Sequence, residues 1–239
     1  MSYQQYKPHP ALHPYIDAYW TVRSGQAASR ILPDGCVDLI CNFGSPITSD
    51  NTILAPDHVY LIGTMTRFSD TVSTAETNLL GIRFKPGAFA LFFDHPLQEA
   101  SNQCIEFDRS LLSITNLDQY FLDKQKKTTH ALLPIITDII AQKGNTKIST
   151  LAKKHFVTER QLERNFKQYT GIGPKAFSNI IRFRSMMDQI KHNKAKDSFE
   201  TIAFRNGYYD HAHLTHEIKK YTGQTPAILS GFSKNRNGI

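Results

Sequence analysis

The sequence predicts an α+β protein: an amino-terminal antiparallel β-sheet or small barrel with flanking helices, then an all-α domain of two helix-turn-helix units joined by a long helix. Three observations carry that expectation. Short β-prone runs separated by Pro and Gly turns fill the stretch before Pro86, helical periodicity takes over from Ala88, and one pattern near the carboxy terminus occurs twice, 51 to 52 residues apart.

Taken in order, Leu12, Tyr15, Ile16 and Tyr19 fall at i, i+3, i+4 and i+7. Ala11 to Ala18 therefore reads as a short amphipathic helix entering a strand at Tyr19 to Arg23. From Arg30 to Phe43 two β-prone runs flank Pro33-Asp34-Gly35, where Pro sets the first corner of a turn and Gly closes it. Asp38, among Val37, Leu39 and Ile40, must face water or find a partner, so it reads as a structural hydrogen-bonding group before a ligand contact. Further strands are expected at Thr52 to Ala55, His58 to Met65 and Asn78 to Phe84, with turns at Pro56-Asp57 and Lys85-Pro86-Gly87. A small barrel can hold a ligand at its mouth, and Trp20, Asp38, Tyr60 and Arg83 are the candidate ligand-binding residues. On barrel strands such side chains are more often core or rim.

Helices are expected at Ala88 to Phe93, Pro96 to Asn102, Leu111 to Leu122 and Ala131 to Gln142. The last carries a stripe of Leu132, Ile135, Ile136, Ile139 and Ile140, expected to pack on the sheet, with pairing to a second subunit as the alternative. Lys143-Gly144-Asn145 closes it with a cation and Gly. The boundary is placed there, giving a sensor or association domain over 1–143 and the repeat domain over 144–239.

In the repeat, Ile202 to Pro226 reads as a helix-turn-helix. Gly207 ends a first helix with φ > 0, Asp210 caps a second, and Leu214, Ile218 and Tyr221 share its inner face. His211, Ala212, Thr215, His216 and Lys219 then face outward. Upstream, Leu162, Tyr169, Thr170, Gly171 and Pro174 match Leu214, Tyr221, Thr222, Gly223 and Pro226 at an offset of 52, whereas Ala152 and Ala203 are offset by 51. The first turn is one residue tighter. Ser149 or Thr150 is expected to cap its first helix, and Thr158-Glu159-Arg160-Gln161 forms a capping box for the next. Leu162, Phe166 and Tyr169 point inward there, leaving Arg160, Gln161, Glu163, Arg164 and Lys167 outside. Arg can pair with guanine, Gln with adenine and Glu with cytosine, so these types suit base reading in a major groove. Between the copies, Pro174 to His192 reads as one helix with Phe177, Ile180, Ile181, Met187 and Ile190 inward, about 27 Å long. That spacing is comparable with one turn of B-DNA, about 34 Å.

Charge agrees with this division. From Gly144 onward 17 Lys and Arg stand against 7 Asp and Glu, net +10, while the part before it has 11 against 14, net −3. The basic excess sits wholly in the repeat, as a phosphate-binding domain requires. Three cysteines, Cys36, Cys41 and Cys104, lack the paired spacing of a zinc site and suit reduced thiols in a cytoplasmic setting. The longest apolar run, Leu79 to Phe93, is broken by Arg83, Lys85 and Pro86, so neither signal peptide nor membrane span is expected.

The segment from Asn145 to Phe232 resembles the AraC/XylS-type DNA-binding domain, most closely over Gly207-Tyr208-Tyr209-Asp210 and Lys219 through Pro226. The resemblance implies a sequence-specific, double-stranded-DNA-binding transcription regulator. Base contacts would come from Arg160, Glu163 and Arg164 in one unit and Ala212, His213 and His216 in the other, with Thr215 and Lys219 nearer the phosphates. The partners expected beyond DNA are a small-molecule effector of unknown identity or a second copy of the chain in a homodimer, and RNA polymerase if the protein is an activator. Phe156 departs from the family pattern by standing where the first turn usually has Gly, and His216 by standing where Arg is frequent. Tyr15-Ile16 with Tyr19-Trp20, Leu32 to Gly35 with Asp38 to Ile40, and Gly81 to Gly87 resemble the uncharacterised domain often found ahead of such units.

The rival class is an enzyme delivered to DNA. An alkyl-transfer repair protein needs four clustered cysteines around zinc, and a metal-dependent cupin-like domain needs several histidines, whereas His58 is alone between Tyr19 and Phe84. His213 and His216 share a helix face without an expected carboxylate, a weak metal pair. No enzyme, cofactor or metal is expected.

Overall fold

The computed structural model describes residues 2–23, 25–127, 130–192 and 197–232. Residues 193–196 and 233–239 of the expected repeat domain lie outside them. The amino-terminal strands are β1 (Ser2–Tyr6), β2 (Ile16–Arg23), β3 (Ala27–Ile31), β4 (Val37–Asn42), β5 (Ile47–Ser49), β6 (Thr52–Leu54), β7 (His58–Ile62), β8 (Ser69–Ser73), β9 (Asn78–Phe84) and, after helix α1 (Leu97–Ala100), β10 (Cys104–Glu106). They form an antiparallel six-stranded sheet, β1-β2-β9-β4-β7-β10, and a four-stranded one, β3-β8-β5-β6.

Strand β4 shows what the pleat does. Its alternate residues Val37, Leu39 and Cys41 enter a core with Leu12, Phe84, Phe89, Phe93 and Phe121, where Phe84 meets Phe89 and Phe121 edge-on at 5.3 and 5.6 Å. Asp38 and Ile40, of opposite parity, face a cavity between the sheets. The amphipathic run before β2 is not the helix expected. His9, Pro10 and the adjacent turn make only a 3-10 turn over Pro10–Leu12, and the chain is already extended from Ile16. A bulge between Ile16 and Ala18 brings Ile16 and Tyr19, three residues apart, into the same core, which mimics helical spacing.

Beyond the sheets, Ala88 to Phe93 contributes only a 3-10 turn, Phe89–Leu91, and the expected helix from Leu111 divides into a 3-10 turn, Arg109–Ser113, and α2 (Leu117–Lys124), capped by Asn116. Helix α3 (Leu132–Ala141) corrects a larger expectation. Leu132, Ile135, Ile136 and Ile139 do not pack on the sheet; they join one core with Leu151, Leu162, Phe166, Phe177 and Ile180 of the repeat, while Ile140 stays exposed.

The repeat comprises α4 (Ile148–Lys154), α5 (Glu159–Thr170), α6 (Pro174–Lys191), α7 (Phe199–Arg205), α8 (His211–Thr222) and α9 (Pro226–Phe232). Helix α6 buries Phe183 and Met186 beside Phe177 and Ile180, whereas Ile181, Met187 and Ile190 are half-buried. It is wrapped on more than one side, so a single inward stripe underestimates its core face. Among the described residues no helix is long and apolar enough to cross a membrane.

Candidate nucleic-acid interface

The helices of the two helix-turn-helix units match in length, and only the turn between them differs, by one residue. Helices α4 and α7 are each 7 residues long at an offset of 51, and α5 and α8 each 12 at an offset of 52. In both, the amide two residues past the first helix's cap returns to the same carbonyl, Val157 N to Ala152 O at 3.0 Å and Tyr208 N to Ala203 O at 3.1 Å. The residues between, Phe156 and Gly207, have φ of +54° and +84°. Helix α4 starts before Ser149 and Thr150, at a Lys147 cap without a side-chain bond, because Ile148 already belongs to the core. Its partner α7 is capped by Ser198, which accepts from Thr201 N.

The longer helices begin and end alike. Thr158 Oγ1 accepts from Gln161 N at 3.1 Å, and Asp210 Oδ1 from Ala212 N at 2.8 Å. At the far ends the Thr170 and Thr222 hydroxyls each donate to the carbonyl four residues back at 2.8 Å, before left-handed Gly171 and Gly223. Caps and core together fix which side chains point out.

On α5, Leu162 and Phe166 are buried, Tyr169 is half-buried and lies flat on His130 at 3.9 Å, and Arg160, Gln161, Arg164 and Lys167 are exposed. Glu163, half-exposed, reaches Lys167 Nζ at 3.4 Å one turn on. That leaves Arg160 and Arg164 as cations without a side-chain partner among the described residues. On α8, Leu214, Ile218 and Tyr221 are buried, His211, Ala212, His213, His216 and Lys219 are exposed and Thr215 is half-exposed. One inward residue escapes sequence reading: Glu217 is 4% exposed, and its Oε1 lies 3.6 Å from His213 Nε2. The signal was its spacing, three residues after Leu214 and four before Tyr221. His213 therefore does have a carboxylate nearby. Among the described residues no group of three or more His, Cys, Asp or Glu is placed to hold a metal ion.

The four amino-terminal candidates separate. Asp38 accepts from Trp20 Nε1 at 2.9 Å and from Arg83 Nε at 3.2 Å, and Arg83 Nη1 also reaches Asp34 at 3.2 Å. Burial pushes the Asp38 carboxyl up, against the pull of Arg83 and Trp20. These three residues line a cavity of about 450 Å³ between the two sheets, with Arg184 of α6 also in its lining. Tyr60 is not among its lining residues. Its hydroxyl accepts from Ala55 N at 2.8 Å and its ring packs with Ile47 and Leu54.

Comparison with known proteins agrees with this anatomy. Residues 4–106 match a family described as a domain of unknown function, DUF6597, and residues 151–229 match a helix-turn-helix domain family. The transcriptional activator RhaS of Pectobacterium carotovorum is 25% identical over 137 residues, which take in 57% of this chain and 43% of RhaS. The match thus spans less than half of that relative. The fold is that of ToxT from Vibrio cholerae, with a TM-score of 0.51 at 11% identity over 100% of both chains. A second ToxT structure, bound to (E)-4-(8-methylnaphthalen-1-yl)but-3-enoic acid, covers 98% of this chain and 100% of its own at TM-score 0.50 and 11% identity. Residues 151–229 are thus a helix-turn-helix domain of the AraC type, preceded over residues 4–106 by a domain of the uncharacterised DUF6597 family.

Proposed function

We propose that the chain is a sequence-specific transcription regulator whose helices α5 and α8 enter successive major grooves on one face of double-stranded DNA. The observation that carries this reading is the pair of equal-length, side-chain-capped helices on either side of the 18-residue α6, with Arg160 and Arg164 unpaired on the first of them. Gln161, Glu163 and Lys167 complete that face, and His211, Ala212, His213, Thr215, His216 and Lys219 form the other. Selection of the full chain on random duplexes is expected to return two half-sites about 10 base pairs apart, with affinity falling as salt rises. Binding with no preference for any duplex would overturn the reading. Arg164→Ala is expected to cost about 1–3 kcal/mol on the selected site and far less elsewhere, measured by titration of both duplexes.

The division of labour falls near Gly144 in this proposal, with residues 1–143 as sensor. The cavity is the proposed effector site, lined by Trp20, Asp38 and Arg83 and, from α6, by Arg184. ToxT, of similar fold, has been solved with a small organic acid, which supports a ligand of that size. Titration of small organic acids against intrinsic Trp20 fluorescence tests it; a chain whose emission and melting temperature ignore all of them carries no such site. The cytoplasm as location, self-association and contact with RNA polymerase belong to the same proposal.

A further inference from the structure

Helix α8 carries a charge where its counterpart does not. Glu217 is buried, and the residue 52 positions earlier is Asn165, half-buried and neutral. A carboxylate inside a small helical domain is costly to desolvate, so its retention needs a reason in the groups around it. Those groups are few. Arg182 of α6 sets its guanidinium 5.8 Å from the Tyr208 ring, and that ring lies 6.1 Å from the His213 imidazole. The hydroxyls of Tyr208 and Tyr221 are pushed up by burial first and by Glu217 second. Arg182 Nη2 donates to Gly144 O at 3.0 Å, while Arg182 Nε, Tyr208 Oη and Glu217 Oε2 are buried without a well-formed hydrogen bond. The other carboxylate oxygen, Oε1, faces His213 Nε2 at 3.6 Å.

We propose that Glu217 is a positioning residue for DNA recognition, holding His213 in one orientation and one tautomer on the flank of α8. This rests on the reading of α8 as a groove-entering helix. The His213 side chain is 47% exposed, so water and rotamer freedom would otherwise let the ring turn. With Nε2 drawn to the buried carboxylate, Nδ1 is the nitrogen left for a base edge or phosphate, and the ring presents a defined donor or acceptor there. The second unit thus gains by a fixed imidazole what the first gains by free guanidinium groups.

The experiment repeats the duplex selection with full-length His213→Ala, Glu217→Gln and the double variant, with Arg164→Ala as control. His213→Ala is expected to reduce base preference about five- to tenfold at one position of the second half-site. Glu217→Gln keeps the shape and removes the charge. It is expected to cause the same loss at the same position, and the double variant no further loss. A uniform loss across sequences in Glu217→Gln, or an unchanged preference, overturns the proposal. So does an unchanged motif in His213→Ala; if Arg164→Ala still alters the motif, the regulator reading survives that failure, and if it does not, both fall. Should Glu217→Gln not fold, the imidazole ¹⁵N shifts of His213 in the unaltered chain decide. A single tautomer with hydrogen on Nε2 supports the proposal and an averaged pair overturns it.

Discussion

The first helix-turn-helix passes from α4 to α5 through four residues and places Phe156 at φ +54°, with its ring 96% exposed; the second passes from α7 to α8 through five and uses Gly207 at φ +84°. Both make the same left-handed step and the same return hydrogen bond. The geometry of the turn is thus common to the units, while the residue that makes it is not. A side chain at positive φ stores on the order of 1 kcal/mol, which the buried Leu151, Ala152 and Leu162 around the first turn outweigh. The outward faces differ in kind as well: unpaired arginines on α5, imidazoles on α8, of which His213 lies against a buried carboxylate.

The largest test of the comparison lies in the core. Phe166 and Ile218 are equivalent and fully buried, so Phe166→Ala is expected to cost about 3–5 kcal/mol and Ile218→Ala about 2–5 by urea unfolding. Equal costs near the lower limit would mean that the first unit collapses around its missing ring.

Next come the helix ends, which the amino-terminal part touches at the same place in each unit. A Cβ on Gly171 would lie 2.5 Å from the Leu97 carbonyl oxygen, whereas one on Gly223 would meet side chains, Arg30 Nη1 at 2.6 Å and Phe68 at 2.9 Å. Arg30 there donates to Thr222 O at 3.0 Å, lies over the Phe68 ring and pairs with Asp70. Both alanine variants carry a left-handed penalty of about 1–2 kcal/mol. Gly171→Ala is expected to lose more in thermal unfolding, because backbone moves less readily than a guanidinium.

The turns themselves come third. Phe156→Gly is expected to stabilise by up to about 1 kcal/mol, and Gly207→Ala to destabilise by about that amount or more, its Cβ meeting Asn145 Oδ1 at 2.5 Å. If Phe156→Gly weakens the fold instead, the exposed ring is held by something other than turn geometry.

The smallest effect concerns acid. Hydrogen bonds from Lys154 and His155 hold the Asp138 carboxyl below its ordinary value, tying α3 to the end of α4. A depressed folded value means that the contribution is complete above the unfolded carboxylate range and is lost as pH falls through the lowered value. Asp138→Asn should therefore flatten the acid limb of stability against pH, measured by urea unfolding across the carboxylate range.

The internal repeat was legible because both copies must bury the same stripe and close with the same Thr-Gly, so Leu162, Tyr169 and Gly171 reappear as Leu214, Tyr221 and Gly223. Phe156 could even be recognised as a non-glycine in a glycine's place. Less could be read where local pattern is ambiguous. Strand β1 is exposed along its whole length, so Ser2–Tyr6 carries no alternation to read, and β5 and β8 are short and polar. Glu217 was hidden by its chemistry, since an acidic residue is by default placed in water.

By itself the sequence determined the elements that carry a clear cap or apolar period: the paired longer helices with their Thr158 and Asp210 caps, the span of the connecting helix and the strand Asn78–Phe84. Tertiary structure alone decided which surfaces meet. A stripe such as Ile135, Ile136 and Ile139 specifies that a helix must be covered but not by what, because apolar attraction has no direction; packing assigned it to the repeat. The same holds for Asp38, whose partners Trp20 and Arg83 lie 18 and 45 residues away in sequence, and for Glu217 beside Tyr208. Such polar groups find their partners only once the chain has folded around them.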